Sequence, residues 1–286
     1  MSQLDIFKTL WGWDGNRAAC LAELTAMDAC GVEARFDVDD RQRRQDFAQW
    51  LNHEQLDYIA VVFTGGDVIP KQSETPADHL RQLSRALEAA QDLSPRFINV
   101  LAGNDRWPLA TQIEFFSQAH ALGEAAGILL SFETHRASSL YSPWVTLEIA
   151  QALPQLRFTT DISHWVLVCE RLLNAAEDDL SPFIDQVHHI QARVGYDQGP
   201  QVPHPGAPEY AKSLAFHQQF WAQVWRSQLA RGYQQLTLTP EFGRDGYLHH
   251  LPFTEMPVAN LDSLNRWMAQ TERQHFNQFI ASSTTP

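Results

Sequence analysis

Four stretches of the chain each place acid, amide or imidazole groups at or near the end of an apolar run. They are Ile128–Arg136 (ILLSFETHR), Leu156–His164 (LRFTTDISH), Val187–Gly195 (VHHIQARVG) and Leu236–Gly243 (LTLTPEFG). Side chains alternate across a strand, so each stretch read as a strand separates into two faces. One face carries Ser131, Glu133 and His135 in the first, Arg157, Thr159 and Asp161 in the second, His189, Gln191 and Arg193 in the third, and Thr237, Thr239 and Glu241 in the fourth. The other face carries Leu130 and Phe132, Phe158 and Ile162, Ile190 and Ala192, and Leu236, Leu238 and Phe242. Every strand would thus bury an apolar face and turn a polar one toward a shared space. Glu133, Asp161 and Glu241 gathered there without a cation would repel and raise one another's pKa values. A divalent ion relieves that repulsion, and an oxygen-rich set suits Mg²⁺ or Mn²⁺. A single strand-end acid is more often a helix N-cap or half of a salt bridge. Four strands in phase point instead to a metal site.

These four are the last of eight strand-like runs separated by helical patterns. Leu4–Trp11, Val32–Val38, Asp57–Phe63 and Arg96–Leu101 precede them, and the fifth strand itself is placed at Ile128–Thr134. Helical periodicity covers Asn16–Cys30 and roughly 41–51, 77–90, 108–127, 144–153, 210–231 and 261–279, with a further helix ending near Ala176. Strand–helix alternation implies a parallel sheet, and eight such units can close as a (β/α)8 TIM barrel. A doubly wound open sheet is the alternative, but the Gly-rich phosphate turn that marks many of them, G-x-G-x-x-G, is missing. The expectation is one α/β domain over all 286 residues, with a frayed tail at 281–286. The formal net charge of −13 opposes broad attraction to phosphate backbones, so nucleic acid is not expected as a partner. No run reaches the ~20 apolar residues of a membrane helix, and no signal peptide is evident. Three cysteines without a CxxC spacing suit reduced thiols in a cytoplasmic protein. Two long irregular segments, after the seventh and eighth strands, suit binding loops.

With FETHR around Glu133, DISHW holding Asp161 and His164 in a D-x-x-H pattern, and TPEFG around Glu241, the chain resembles the sugar isomerase/epimerase superfamily with a xylose isomerase-like barrel. That superfamily includes ketose 3-epimerases, inosose dehydratases and, more distantly, endonuclease IV. The resemblance implies a divalent metal held by Glu133, Asp161, Glu241 and a residue of the seventh strand. There the family usually reads His-x-His, whereas this chain has His189-Ile190-Gln191. Gln191, His189 from one layer deeper, or a water would fill that place, or the site is weakened. The implied chemistry is proton transfer next to a carbonyl through a metal-stabilised enediolate, with Glu133 and Glu241 as the acid/base pair on opposite faces of a sugar or polyol. By the same resemblance His164 would bind or orient substrate oxygens, and a homodimer is expected. Arg193 would hold a substrate hydroxyl or carboxylate, or else pair with a barrel carboxylate. Lys8, Trp11, Asn104 and His135 complete the candidates for substrate contact. A lyase acting on an inosose-like keto-polyol shares the first step. A non-catalytic sugar-binding barrel and a phosphoester hydrolase are the readings of other classes, the last disfavoured by charge and by the lack of further His and Asp ligands.

Overall fold

Eight parallel strands follow one another in sequence order around a closed barrel, as the alternation implies. They are β1 (Gln3–Thr9), β2 (Gly31–Arg35), β3 (Asp57–Phe63), β4 (Phe97–Leu101), β5 (Leu130–Glu133), β6 (Phe158–Thr160), β7 (Val187–Ala192) and β8 (Gln235–Pro240). The helices between and after them are α1 (Arg17–Met27), α2 (Arg41–His53), α3 (Pro76–Ala90), α4 (Leu109–Ala126), α5 (Pro143–Ala152), α6 (Ile162–Val168), α7 (Ser181–Ile184), α8 (Ala211–Ala230) and α9 (Leu261–Ser283). The architecture, a (β/α)8 TIM barrel, is that of a computed structural model describing residues 2–244 and 246–283. The expected tail at 281–286 begins inside α9, and 284–286 lie outside the described residues.

Local chemistry starts the helices where the sequence suggests. Asn16 accepts from the Ala19 amide, Asp40 from that of Arg43, and Thr75 and Asp78 bond reciprocally as a capping box ahead of α3. Gly127 closes α4 at a φ of 68°, where an L side chain would be strained. One expectation fails: the helix placed up to Ala176 stops at Val168. The backbone turns at Glu170, with φ 50°. Asp178 then fixes a turn, accepting from the Asn174 amide at 2.8 Å and from Arg171 at 2.6 Å. Helical periodicity carries no sign of such side-chain-to-backbone competition. Helix α7 has a single turn, too short for periodicity to reveal. The first strand ends at Thr9 rather than Trp11, and the second at Arg35 rather than Val38.

Compactness divides the chain into two units. One is built from the segment up to Cys30, Asp161–Asp179 and the chain from His189 on; the other from Gly31–Thr160 and Leu180–His188. In the second unit, β2 to β6 pair in sequence. A Cβ on Gly31 would stand 2.0 Å from the Asp57 carbonyl oxygen, so the start of the β2–β3 pair accepts only glycine. Its apolar faces are aromatic: Phe132 meets Phe116 at 5.0 Å between ring centroids, and Phe158 meets Phe183 at 5.2 Å. The opposite faces are polar, with the Ser131 and Thr159 hydroxyls 2.7 Å apart. In the first unit β8 pairs with both β1 and β7, placing His189 opposite Thr237 and Gln191 opposite Thr239.

Candidate functional site

The polar residues of the first unit converge on Arg193. Its side chain is 1 % exposed. One terminal nitrogen bonds Asp161 and reaches His164 Nε2 at 2.8 Å, Nε donates to Ser163 Oγ at 3.2 Å, and the other terminal nitrogen lies 3.8 Å from Glu241 Oε2. Tyr247 and Trp11 flank the cation, their ring centroids 4.6 and 5.7 Å from Cζ. The two rings meet edge to face at 5.1 Å. Trp11 is itself lodged by Gly243, where a Cβ would come within 1.9 Å of its ring.

The backbone beyond Arg193 is fixed as well. The Gly195 amide donates to His217 Nε2 at 3.3 Å, while His217 Nδ1 donates to the Ser213 carbonyl at 2.7 Å. Burial lowers the His217 pKa to about 4, so the ring is neutral at physiological pH, as its acceptor role requires. The segment after Glu241 is clamped by two amides. Gln201 bonds Gly243 in both directions, at 3.3 and 2.9 Å, and Asn265 does the same for Phe242.

The two carboxylates beside Arg193 differ in kind. Asp161 is completely buried and caps α6, its Oδ1 accepting from the Ser163 amide at 3.1 Å and the Ser163 hydroxyl at 2.6 Å. Burial raises its pKa, against the lowering effect of Arg193 and of the Ser163 donors. Glu241 keeps partial exposure, 14 %, and accepts from Gln191 Nε2 at 3.0 Å. An arginine can only donate, so His164 Nε2 is an acceptor and its ring proton sits on Nδ1. His189 spans two hydroxyls, with Nδ1 2.8 Å from Thr237 Oγ1 and Nε2 3.1 Å from Thr239 Oγ1.

In the second unit Glu133 is buried, and its Oε2 accepts from Asn99 Nδ2 at 2.8 Å. The same nitrogen donates to Glu33 Oε1 at 3.1 Å. Asn104, also buried, accepts from the Arg106 amide at 2.9 Å and is braced by Ser139. Its Nδ2 finds no acceptor among the described residues, which leaves a donor for a ligand oxygen. His135 is buried, its Nδ1 meeting the Arg136 carbonyl. Lys8, expected at substrate, sits over the Trp13 ring at 4.1 Å and pairs with Asp262 at 3.3 Å.

Arg193 thus gathers Asp161, His164 and Glu241, while Gln191 holds Glu241 from β7. Tyr247, Ser163, Asn99 and Glu33 also belong to these networks, although the sequence reading passed over them. Tyr247 lies in an irregular loop without periodicity. Glu33 shares a strand face with Arg35, whereas Asn99 shares one with Phe97 and Leu101, and only its register opposite Ser131 places it among polar groups.

The chemistry of the donor set decides how a divalent ion would fit. Carboxylate and amide oxygens are the right type for a hard cation. Yet Asp161 Oδ1 serves Ser163, Asp161 and His164 Nε2 both meet Arg193, and Glu241 Oε1 serves the Gln191 amide. A guanidinium already supplies positive charge where the ion is expected. The guanidinium therefore competes with any ion for Asp161 and His164.

A family model described as a xylose isomerase-like TIM barrel matches residues 21–201. No curated protein matches the chain. Among solved structures, an L-ribulose 3-epimerase is similar at 11 % identity and a TM-score of 0.67, over 100 % of both chains. A D-allulose 3-epimerase from Methylomonas sp., in complex with D-allulose, is 12 % identical with a TM-score of 0.64, over 96 % of this chain and 98 % of the other. A 3-keto-D-glucoside 4-epimerase from E. coli is 14 % identical with a TM-score of 0.59, over 95 % and 100 %. At such identities the likeness is one of fold.

Proposed function

Because the chain belongs to the xylose isomerase-like TIM-barrel family, we propose that it is an isomerase or epimerase of a sugar or keto-polyol, moving a proton at a carbon beside a carbonyl. The observation that carries this reading is the contrast between its strand-end acids. Asp161 is sealed and committed to capping α6, while Glu241 stays partly exposed beside an aromatic pair and a fixed cation. A general base must be reachable and held in place, and Glu241 meets both conditions. The epimerases of similar fold support the substrate class.

In this mechanism Glu241 takes the proton from the carbon next to the carbonyl, leaving an enediolate. A conjugate acid on the opposite face returns a proton. That role is assigned to Glu133, whose Oε2 is tethered by Asn99, as the family resemblance implies. Trp11 and Tyr247 offer ring faces to the apolar side of a sugar, and Asn104 Nδ2 a donor to a hydroxyl. The family implies a divalent ion, which when bound would polarise the carbonyl; no step here depends on one.

The test is proton exchange. A panel of ketopentoses, ketohexoses and keto-inositols is incubated with the protein in D₂O and followed by NMR. Deuterium uptake beside the carbonyl with wild type, reduced roughly a hundredfold or more in Glu241→Gln, is the expected result. Exchange that survives Glu241→Gln unchanged, or binding of these sugars without any exchange, would sink the proposal. A dehydrated product would place the chain with the lyases instead.

A further inference from the structure

We propose that Arg193 is the resident cation of this site, standing where a divalent ion would otherwise lie between Asp161 and Glu241, and that its guanidinium meets the negative oxygen formed in the reaction. The inference rests on the proton-transfer reading only for that last clause; the cation itself follows from geometry. Arg193 is held on every side the described residues reveal. Ser163 takes Nε, Asp161 and His164 take one terminal nitrogen, Glu241 lies beyond the other, and Tyr247 and Trp11 cover its faces. Asp161 and His164, two groups that could ligate an ion, are thereby engaged. His164 Nε2, with its single lone pair, accepts from the arginine, and the Gln191 amide offers Glu241 an N–H.

Charge leads to the same conclusion. Asp161 and Glu241 contribute two negative charges, and the permanently protonated arginine offsets one of them. The remaining negative charge lies on the more exposed Glu241 and is the charge a base requires. A divalent ion added beside the guanidinium would face a like charge and compete for the same oxygens. A buried, pre-oriented guanidinium can stabilise an enolate oxygen without reorganising, which is the property that makes fixed donors effective in catalysis. The departure at Gln191 fits this arrangement. The amide N–H there holds Glu241.

The experiment measures metal content and isotope exchange separately. Wild-type protein is stripped with chelator, titrated with Mn²⁺ by calorimetry and electron paramagnetic resonance, and then assayed for deuterium uptake with and without added ion. The expected result is only substoichiometric Mn²⁺, with exchange unchanged by chelation. Arg193→Lys, checked for native near-UV circular dichroism, should lose roughly a hundredfold in exchange rate, because a point charge cannot reproduce the planar fork. A stoichiometric ion in wild type that chelator removes together with exchange would overturn the proposal, as would an Arg193→Lys variant that exchanges like wild type. The titration requires no substrate. If no sugar exchanges, the isomerase reading fails, while the metal stoichiometry still decides the identity of the cation.

Discussion

Asn99 invites the most quantitative test of the interior. One amide nitrogen donates to two buried carboxylates, Glu33 Oε1 at 3.1 Å and Glu133 Oε2 at 2.8 Å. The two oxygens therefore lie no more than about 6 Å apart, and two charges at that separation repel by about 3 kcal/mol at an effective dielectric of ~20. Asn99→Ala removes both bonds, each worth about 1.5–3 kcal/mol with a charged acceptor, and leaves the repulsion unscreened. The expected loss is about 3–5 kcal/mol, read from urea unfolding midpoints at neutral pH. Asn99→Asp should be worse, since it adds a third negative group. Combining Asn99→Ala with Glu33→Gln should recover up to about 3 kcal/mol, because it removes one of the repelling charges. If Asn99→Ala unfolds within about 0.5 kcal/mol of wild type, or the double variant is simply additive, the amide is not a bridge and Glu133 is positioned some other way.

Two further outcomes are expected. The His217 pKa of about 4 lies below the ordinary 6.5, so the unfolded chain takes up a proton first as pH falls. This contribution to stability is complete above pH 6.5 and is lost progressively toward pH 4, by about 3 kcal/mol in all. Unfolding midpoints across that window should fall less steeply in His217→Asn than in wild type, and equal slopes would contradict the burial argument. Gly243→Ala should displace the Trp11 ring, whose atoms stand 1.9 to 2.3 Å from the added carbon. A loss of roughly tenfold or more in exchange rate with an unchanged far-UV spectrum is expected; wild-type exchange would show that Trp11 does not shape the site.

The barrel was legible because its signals are local and redundant. β3 was placed at its observed limits, and the strand–helix rhythm survives errors of up to four residues at the other ends, the end of α6 apart. Misjudgements cluster where a side chain overrides periodicity, as Asp178 does after α6 by accepting from Asn174 and Arg171. The polar face was legible for the same reason: parity along a strand places Ser131 with Glu133, and His189 with Gln191 and Arg193. Asn99 shows the limit of that signal: its face-mates along β4 are Phe97 and Leu101, and its polar setting comes from Ser131 on the next strand.

Partnership is what sequence parity cannot supply. Lys8 was grouped with the mouth because it lies near the end of the first strand, yet Asp262, 254 positions away, takes its ammonium. Arg193 presents the same difficulty at the centre of the site. Its type and face were compatible both with holding substrate and with pairing to a carboxylate, and distances to Asp161 and Glu241 separate those roles only in three dimensions. The acids suggested a divalent ion because convergent negative charge requires compensation, and that premise stands. What the spacing of E, D and E along the chain could not convey is that a guanidinium, two residues after Gln191, lies among the acids' partners. That guanidinium separates the two carboxylates: Asp161, fully buried, bonds it directly, while Glu241, 14 % exposed, lies 3.8 Å from it, the contrast on which the proposed base role of Glu241 rests.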